Sequence, residues 1–200
     1  MSEIVKITPV REDIMIARFA ALAIGIHVIE SLLPSPIPGV KPGFANIVTL
    51  LVFLRYGLEA AAWVSILRVV VGSLIVGTFL SPTFALSFSG AVLSLFVLLA
   101  CAGFNRRYPA HGLSLFGIAI LMSMTHMATQ FLVVYVFFIP HNALLDLLPV
   151  MMSAALIFGL VNGYISQNVS TRLDMSRNHV SHDTLMPSDD RNKIPGNQLK

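Results

Sequence analysis

The 200-residue chain has little of what enzymes and soluble domains rely on. Its one cysteine, Cys101, sits in an apolar run, so neither a disulfide framework nor a multi-cysteine metal site can form within the chain. Charged residues make up 12% of it, against about a quarter in a soluble domain. No GxxxxGK[ST] phosphate loop occurs, which excludes ATP hydrolysis by that route. The adjacent aspartates Asp189 and Asp190 lie in a polar C-terminal stretch, so no pair of aspartate-rich helical motifs can hold magnesium for prenyl transfer. Basic residues are scattered over a net charge of +3 instead of clustering with aromatics, and a nucleic-acid surface is not expected. The polar stretch 1–13 leads into an apolar segment long enough to span, without a small-residue cleavage site, so no cleavable signal is expected. No catalytic machinery is visible, and a non-enzyme without metal or cofactor is the expectation.

What remains is apolar residue in excess: 56% of the chain, with a mean hydropathy of +0.79. Such a chain needs lipid as its solvent, and its apolar runs suit helices that take about 20 residues each to cross roughly 30 Å of hydrocarbon. The predicted fold is an all-α integral membrane bundle of about six helices, over 14–33, 43–56, 58–79, 82–103, 113–139 and 144–165. Pro34, Pro36 and Pro38 stop the first and make 33–42 a stiff extended loop. The second is short for a full crossing, which suggests a tilted partial span or protein shielding around its start. Three regions follow: a cytoplasmic N-terminal segment 1–13, a membrane domain 14–166, and a polar tail 167–200, disordered over 168–200 for want of apolar surface.

Alternating six spans puts Lys6, Arg11, Arg18, Arg55, Arg106, Arg107, Arg172 and Arg177 on one side and Lys41 on the other. Cytoplasmic loops carry the positive excess, so both termini are expected in the cytoplasm.

Ionisable groups inside a bilayer cost about 3 kcal/mol each on insertion scales, which makes each a candidate site residue. They are His27, Glu30, Arg68 and His126, with Asn46, Gln130 and Asn162 as neutral polar companions. Arg68 lies near mid-helix on a small-residue face with Ala61, Ser65 and Gly72; an ion pair with Glu30 and a direct contact to an anionic ligand both fit it. His27 and Glu30 share one helix face, and His126 and Gln130 another. His126 suits either a helix–helix hydrogen bond or a ligand, and Asn46 either capping or ligation. With Lys41 just outside, these groups lie from mid-bilayer toward the outer half, the pattern of a pocket opening outward for an anionic solute. Haem ligation by His27 and His126 is disfavoured by their offset depths. Ala17, Ala21 and Gly25 recur every four residues on the first helix, and Gly159 with Gly163 forms a similar pair on the sixth; internal packing and docking of another membrane subunit are the two readings.

Two runs, Gly39-Val-Lys-Pro-Gly-Phe-Ala-Asn-Ile-Val-Thr-Leu-Leu51 and Leu67-Arg-Val-Val-Val-Gly-Ser-Leu-Ile-Val-Gly-Thr-Phe-Leu-Ser-Pro82, resemble the Gx transporter family, often labelled heptaprenyl diphosphate synthase component I. The similarity extends over 17–165 and includes His126 and Gln130, with Met127 standing where the family often has asparagine. The family is similar in size and helix count to substrate-binding S-components of energy-coupling factor transporters. That resemblance implies a small-molecule solute, a bacterial cytoplasmic (inner) membrane, and docking through Ala17 and Ala21 onto a transmembrane coupling subunit driven by separate ATPases. The synthase label implies instead a non-catalytic accessory subunit beside a soluble prenyl-transferring partner.

Overall fold

The computed structural model describes residues 11–33, 40–41 and 43–185. Its helices are α1 (Arg11–Leu32), α2 (Asn46–Val76), α3 (Pro82–Arg107), α4 (Leu115–Val133) and α5 (Leu148–Leu185). A π-helical turn, Val134–Phe138, extends α4, and a 3₁₀ turn, Asn142–Leu147, leads into α5. Five stretches, Asp13–Leu32, Asn46–Val76, Pro82–Arg107, Leu115–Phe138 and Asn142–Arg172, are long and apolar enough to cross a membrane. The protein is an all-α membrane bundle.

Local chemistry sets several of these ends. Ser81 caps α3 by accepting from the Phe84 amide at 3.4 Å, and Pro82 follows at a position where its missing N–H costs nothing. Arg106 and Arg107 close the same helix against its negative end. Ser114 caps α4 by accepting from the Gly117 amide at 3.1 Å.

The helix α2 is two helices in one. At Gly57 the backbone takes φ 86° and ψ −173°, a conformation essentially restricted to glycine. In a straight helix Asn46 and Arg68 would stand about 33 Å apart, at about 1.5 Å per residue. Their side chains instead meet at 2.8 Å. The chain therefore reverses at Gly57, and its two limbs pair as an antiparallel hairpin whose Val48, Val52, Ala60, Ala61 and Val64 pack with Ala20 and Ala23 of α1. Six helical segments result, divided where the hydropathy pattern divides them.

The C-terminal end differs from expectation. Helix α5 continues 20 residues past Ile165, to Leu185, through much of the stretch expected to be disordered. No glycine or proline interrupts the chain between Gly163 and Pro187, so a helix nucleated in the bundle propagates at one hydrogen bond per residue. Residues 1–10, most of the expected stiff loop (34–39 and 42) and 186–200 lie outside the described residues. Within the bundle α4 packs on α3 and α5, and α1 packs on α2.

Candidate functional site: a buried polar centre

All seven predicted site residues are buried, from Gln130 at 0% exposure to Lys41 at 5%. They come from the end of α1 (His27, Glu30), the segment before α2 (Lys41), both limbs of α2 (Asn46, Arg68) and α4 (His126, Gln130). His27, Glu30, Lys41, Arg68 and His126 line one narrow gap, together with Gly43, Val69 and Ser87. The gap is pinched closed: it has no room for a water molecule.

Some of these groups hold the chain itself. The side chain of Gln130 accepts from the Lys41 amide at 2.8 Å and donates to the Lys41 carbonyl at 3.2 Å. The Phe44 amide donates to Glu30 Oε1. Asn162 Nδ2 donates to the Gly43 carbonyl at 3.5 Å and to Ser123 Oγ at 3.0 Å. The irregular backbone ahead of α2 thus runs inside the bundle, which is tolerated because side chains supply the partners that lipid cannot. Lys41, expected beside the pocket just outside the membrane, is buried with it. Its Nζ donates to Ser31 Oγ at 2.7 Å and lies 3.1 Å from His27 Nε2. An ammonium only donates, so His27 Nε2 is the acceptor of that pair. Burial holds the Lys41 ammonium below the usual lysine range, against the opposing pull of Glu30, and Arg68 lowers it further.

Other groups are left with capacity to spare. Arg68 is 1% exposed and donates from Nη2 to Asn46 Oδ1 at 2.8 Å, while its Nε and Nη1 have no partner. Among the described residues it makes no ion pair with Glu30 within 4.0 Å, so the direct bridge is not part of this conformation. Ser87 Oγ and Asn46 Nδ2 are also unpartnered. His126 Nδ1 lies over Gly90 without a hydrogen bond of normal geometry.

The two imidazoles are seated on glycines. A Cβ on Gly72 would stand 2.6 Å from His27 Cδ2, one on Gly90 2.9 Å from His126 Nδ1, and one on Gly43 2.9 Å from His126 Cδ2. Gly43, Gly90, Ser87 and Ser31 were not singled out from the sequence; the one available signal was a small residue opposite a buried histidine. Haem does not fit here: His27 Nε2 is engaged by Lys41 and the rings close on the narrow gap. Among the described residues no group of three or more His, Cys, Asp or Glu forms a metal site.

A family model described as heptaprenyl diphosphate synthase component I matches residues 19–169. The chain belongs to that family. No curated protein and no solved structure matches it. The component I match contains every residue of the polar centre and ends within α5, well before the helix ends at Leu185. Of the small-residue faces on this component I chain, one is internal: Cβ atoms on Gly159 and Gly163 would stand 2.9 Å from Ile120 Cα and 2.7 Å from Phe116 Cδ2. Ala17, Ala21 and Gly25 are exposed on α1, and Ala17 borders a cleft of about 570 Å³ shared with Asp13, Arg55, Glu59 and Trp63.

Proposed function

We propose that the protein is a non-catalytic membrane subunit that binds a small anionic solute at the polar centre. Arg68 is the anchor, Lys41, His27, His126, Glu30 and Asn46 form the walls, and Gln130 holds the Lys41 segment across the gap. The observation that carries this is the Arg68 guanidinium, buried to 1% exposure yet satisfied at one nitrogen only. A buried charge is costly unless paired and hydrogen-bonded, and an anion supplies both. The gap is too narrow for a solute as it stands, so entry requires the Lys41 segment to shift. The exposed Ala17, Ala21 and Gly25 face supports docking of a membrane partner, since small residues let helices approach closely. Cytoplasmic termini accord with the distribution of arginines.

The family description favours a second reading, an accessory subunit beside a soluble prenyl-transferring enzyme, with a lipid-like chain or prenyl diphosphate as the molecule held.

Native mass spectrometry of gently purified protein tests both. A retained small anion, lost in Arg68→Gln, is expected, and the empty variant should melt no lower than the empty wild type, because removing a half-satisfied buried charge is neutral or stabilising. Glu30→Gln should keep the anion. A retained prenyl diphosphate or a co-purifying prenyltransferase favours the second reading. A small anion retained equally by Arg68→Gln sinks the first.

A further inference from the structure

A second gap lies behind the first, and neither the family description nor the anion-binding reading gives it a role. It is lined by Asn46, Ile47, Leu50, Ala119, Met122 and Asn162 and, like the first, is pinched too narrowly to admit a water molecule, so a group that enters must widen it. It shares Asn46 with the Arg68 contact, and Gly43, which lines the first gap, takes a hydrogen bond from Asn162. The two gaps therefore meet along a wall made of Gly43 and Asn46.

The hydrogen bonds of its two asparagines fix which of their atoms remain without a partner. Asn46 commits Oδ1 to Arg68 and leaves Nδ2 unpartnered; Asn162 commits Nδ2 to Ser123 and Gly43 and leaves Oδ1 unpartnered. Both residues are at most 3% exposed. The two asparagines that line this gap thus carry one orphan donor and one orphan acceptor, and its other walls are aliphatic or thioether, with no ionisable side chain among them. Leaving such atoms unsatisfied is costly, and a second charge here would find no counter-charge.

We infer that this gap is a subsite for an uncharged group that both donates and accepts, a carboxamide or a hydroxyl, carried by the solute whose anionic end sits at Arg68. The inference rests on the anion-binding reading and narrows it to a substrate class: a compact carboxylate or phosphate with a neutral polar group a few bonds away. Asn46 joins the two halves, since its oxygen orients Arg68 and its nitrogen meets the neutral group. Asn162 supplies the complementary acceptor.

Matched pairs of probes test this on the purified full chain in lipid nanodiscs, with affinity read by calorimetry and thermal shift. Butyrate and succinamate differ by a terminal carboxamide; propyl phosphate and glycerol 3-phosphate differ by hydroxyls. In at least one pair the polar member should bind about tenfold more tightly, as a site built around paired donors and acceptors discriminates against an analogue lacking them. Asn162→Leu, and Asn162→Ala should the bulkier variant not fold, should bring that ratio toward one. Equal binding of both members by the wild type overturns the subsite while the anion site stands. A ratio that both Asn162 variants preserve overturns it as well. No binding by any of the four probes overturns the anion-binding reading and the subsite with it.

Discussion

His27 and His126 owe their positions to residues that have no side chain. Gly72 meets the His27 ring at a distance no real Cβ tolerates, whereas Gly25 and Gly103 have nothing within 4 Å of a Cβ position. Gly72→Ala should therefore push His27 off Lys41 and lower stability by about 1–3 kcal/mol, the usual cost of overpacking. Gly25→Ala should be neutral or stabilise by about 0.5–1 kcal/mol through helix propensity alone. Thermal melting of both variants checks the contrast, and equal melting would mean that the imidazole seat carries no energy. The sequence made the histidines visible and left their seats hidden, for one physical reason. An ionisable group in an apolar run stands out because lipid penalises it, so His27, Glu30, Arg68 and His126 could be picked singly. Glycine and serine are ordinary in membrane helices, so Gly90 and Ser87 acquire meaning only when a neighbouring helix brings a ring against them. The burial of Lys41 was hidden for another reason: flanked by prolines and glycines, it has the local signature of an exterior loop, and its backbone is held by a partner 89 residues away.

Two elements decide how the polar centre is assembled, the reversal at Gly57 and the irregular segment ahead of α2. The reversal was legible, because Arg55 and Glu59 interrupt two apolar runs that are otherwise continuous. The path of the segment was not, since nothing local shows that Gln130 takes both hydrogen-bonding groups of Lys41. That clamp makes a sharp prediction. Gln130→Leu orphans a buried N–H and a buried carbonyl, at roughly 1–3 kcal/mol each, whereas Gln130→Glu keeps an acceptor for the Lys41 amide and loses only the donor. Stability should fall in the order wild type, Gln130→Glu, Gln130→Leu, and hydrogen exchange at the Lys41 amide should quicken most in the leucine variant. A leucine variant with wild-type melting and a protected Lys41 amide would show that the segment is held by other means. The overlong α5 marks the limit of hydropathy as a guide: polarity predicts where lipid ends, not where a helix ends, and the absence of breakers carried α5 on to Leu185.

Across the whole molecule, the hairpin in α2 decides where the arginines go. With α2 straight, five spans would leave Arg18 and Arg106 at opposite ends of the bundle. With the reversal there are six segments, and Arg18, Arg55, Arg106, Arg107 and Arg172 fall at one end, which the preference for positive cytoplasmic loops predicts to be the cytoplasmic one. The cleft shared by Asp13, Ala17 and Arg55 is independent support, since it joins the start of α1 to the tip of the hairpin. Single cysteines at Leu33, Leu80, Ala110 and Asn142, in a background where buried Cys101 is alanine, turn this path into a labelling pattern. An impermeant thiol reagent applied to intact cells should modify positions 33, 80 and 142 and spare 110 until the membrane is opened. Leu33 and Leu80 carry the test of the reversal, because they share a side only if the chain crosses twice within α2; labelling of one without the other would restore a straight α2 and separate Arg68 from Asn46. Labelling of position 110 alone would keep the six segments but invert them. The polar centre, nearer the 33 and 80 end than the hairpin tip, would then face the cytoplasm, and the solute would have to be drawn from inside the cell.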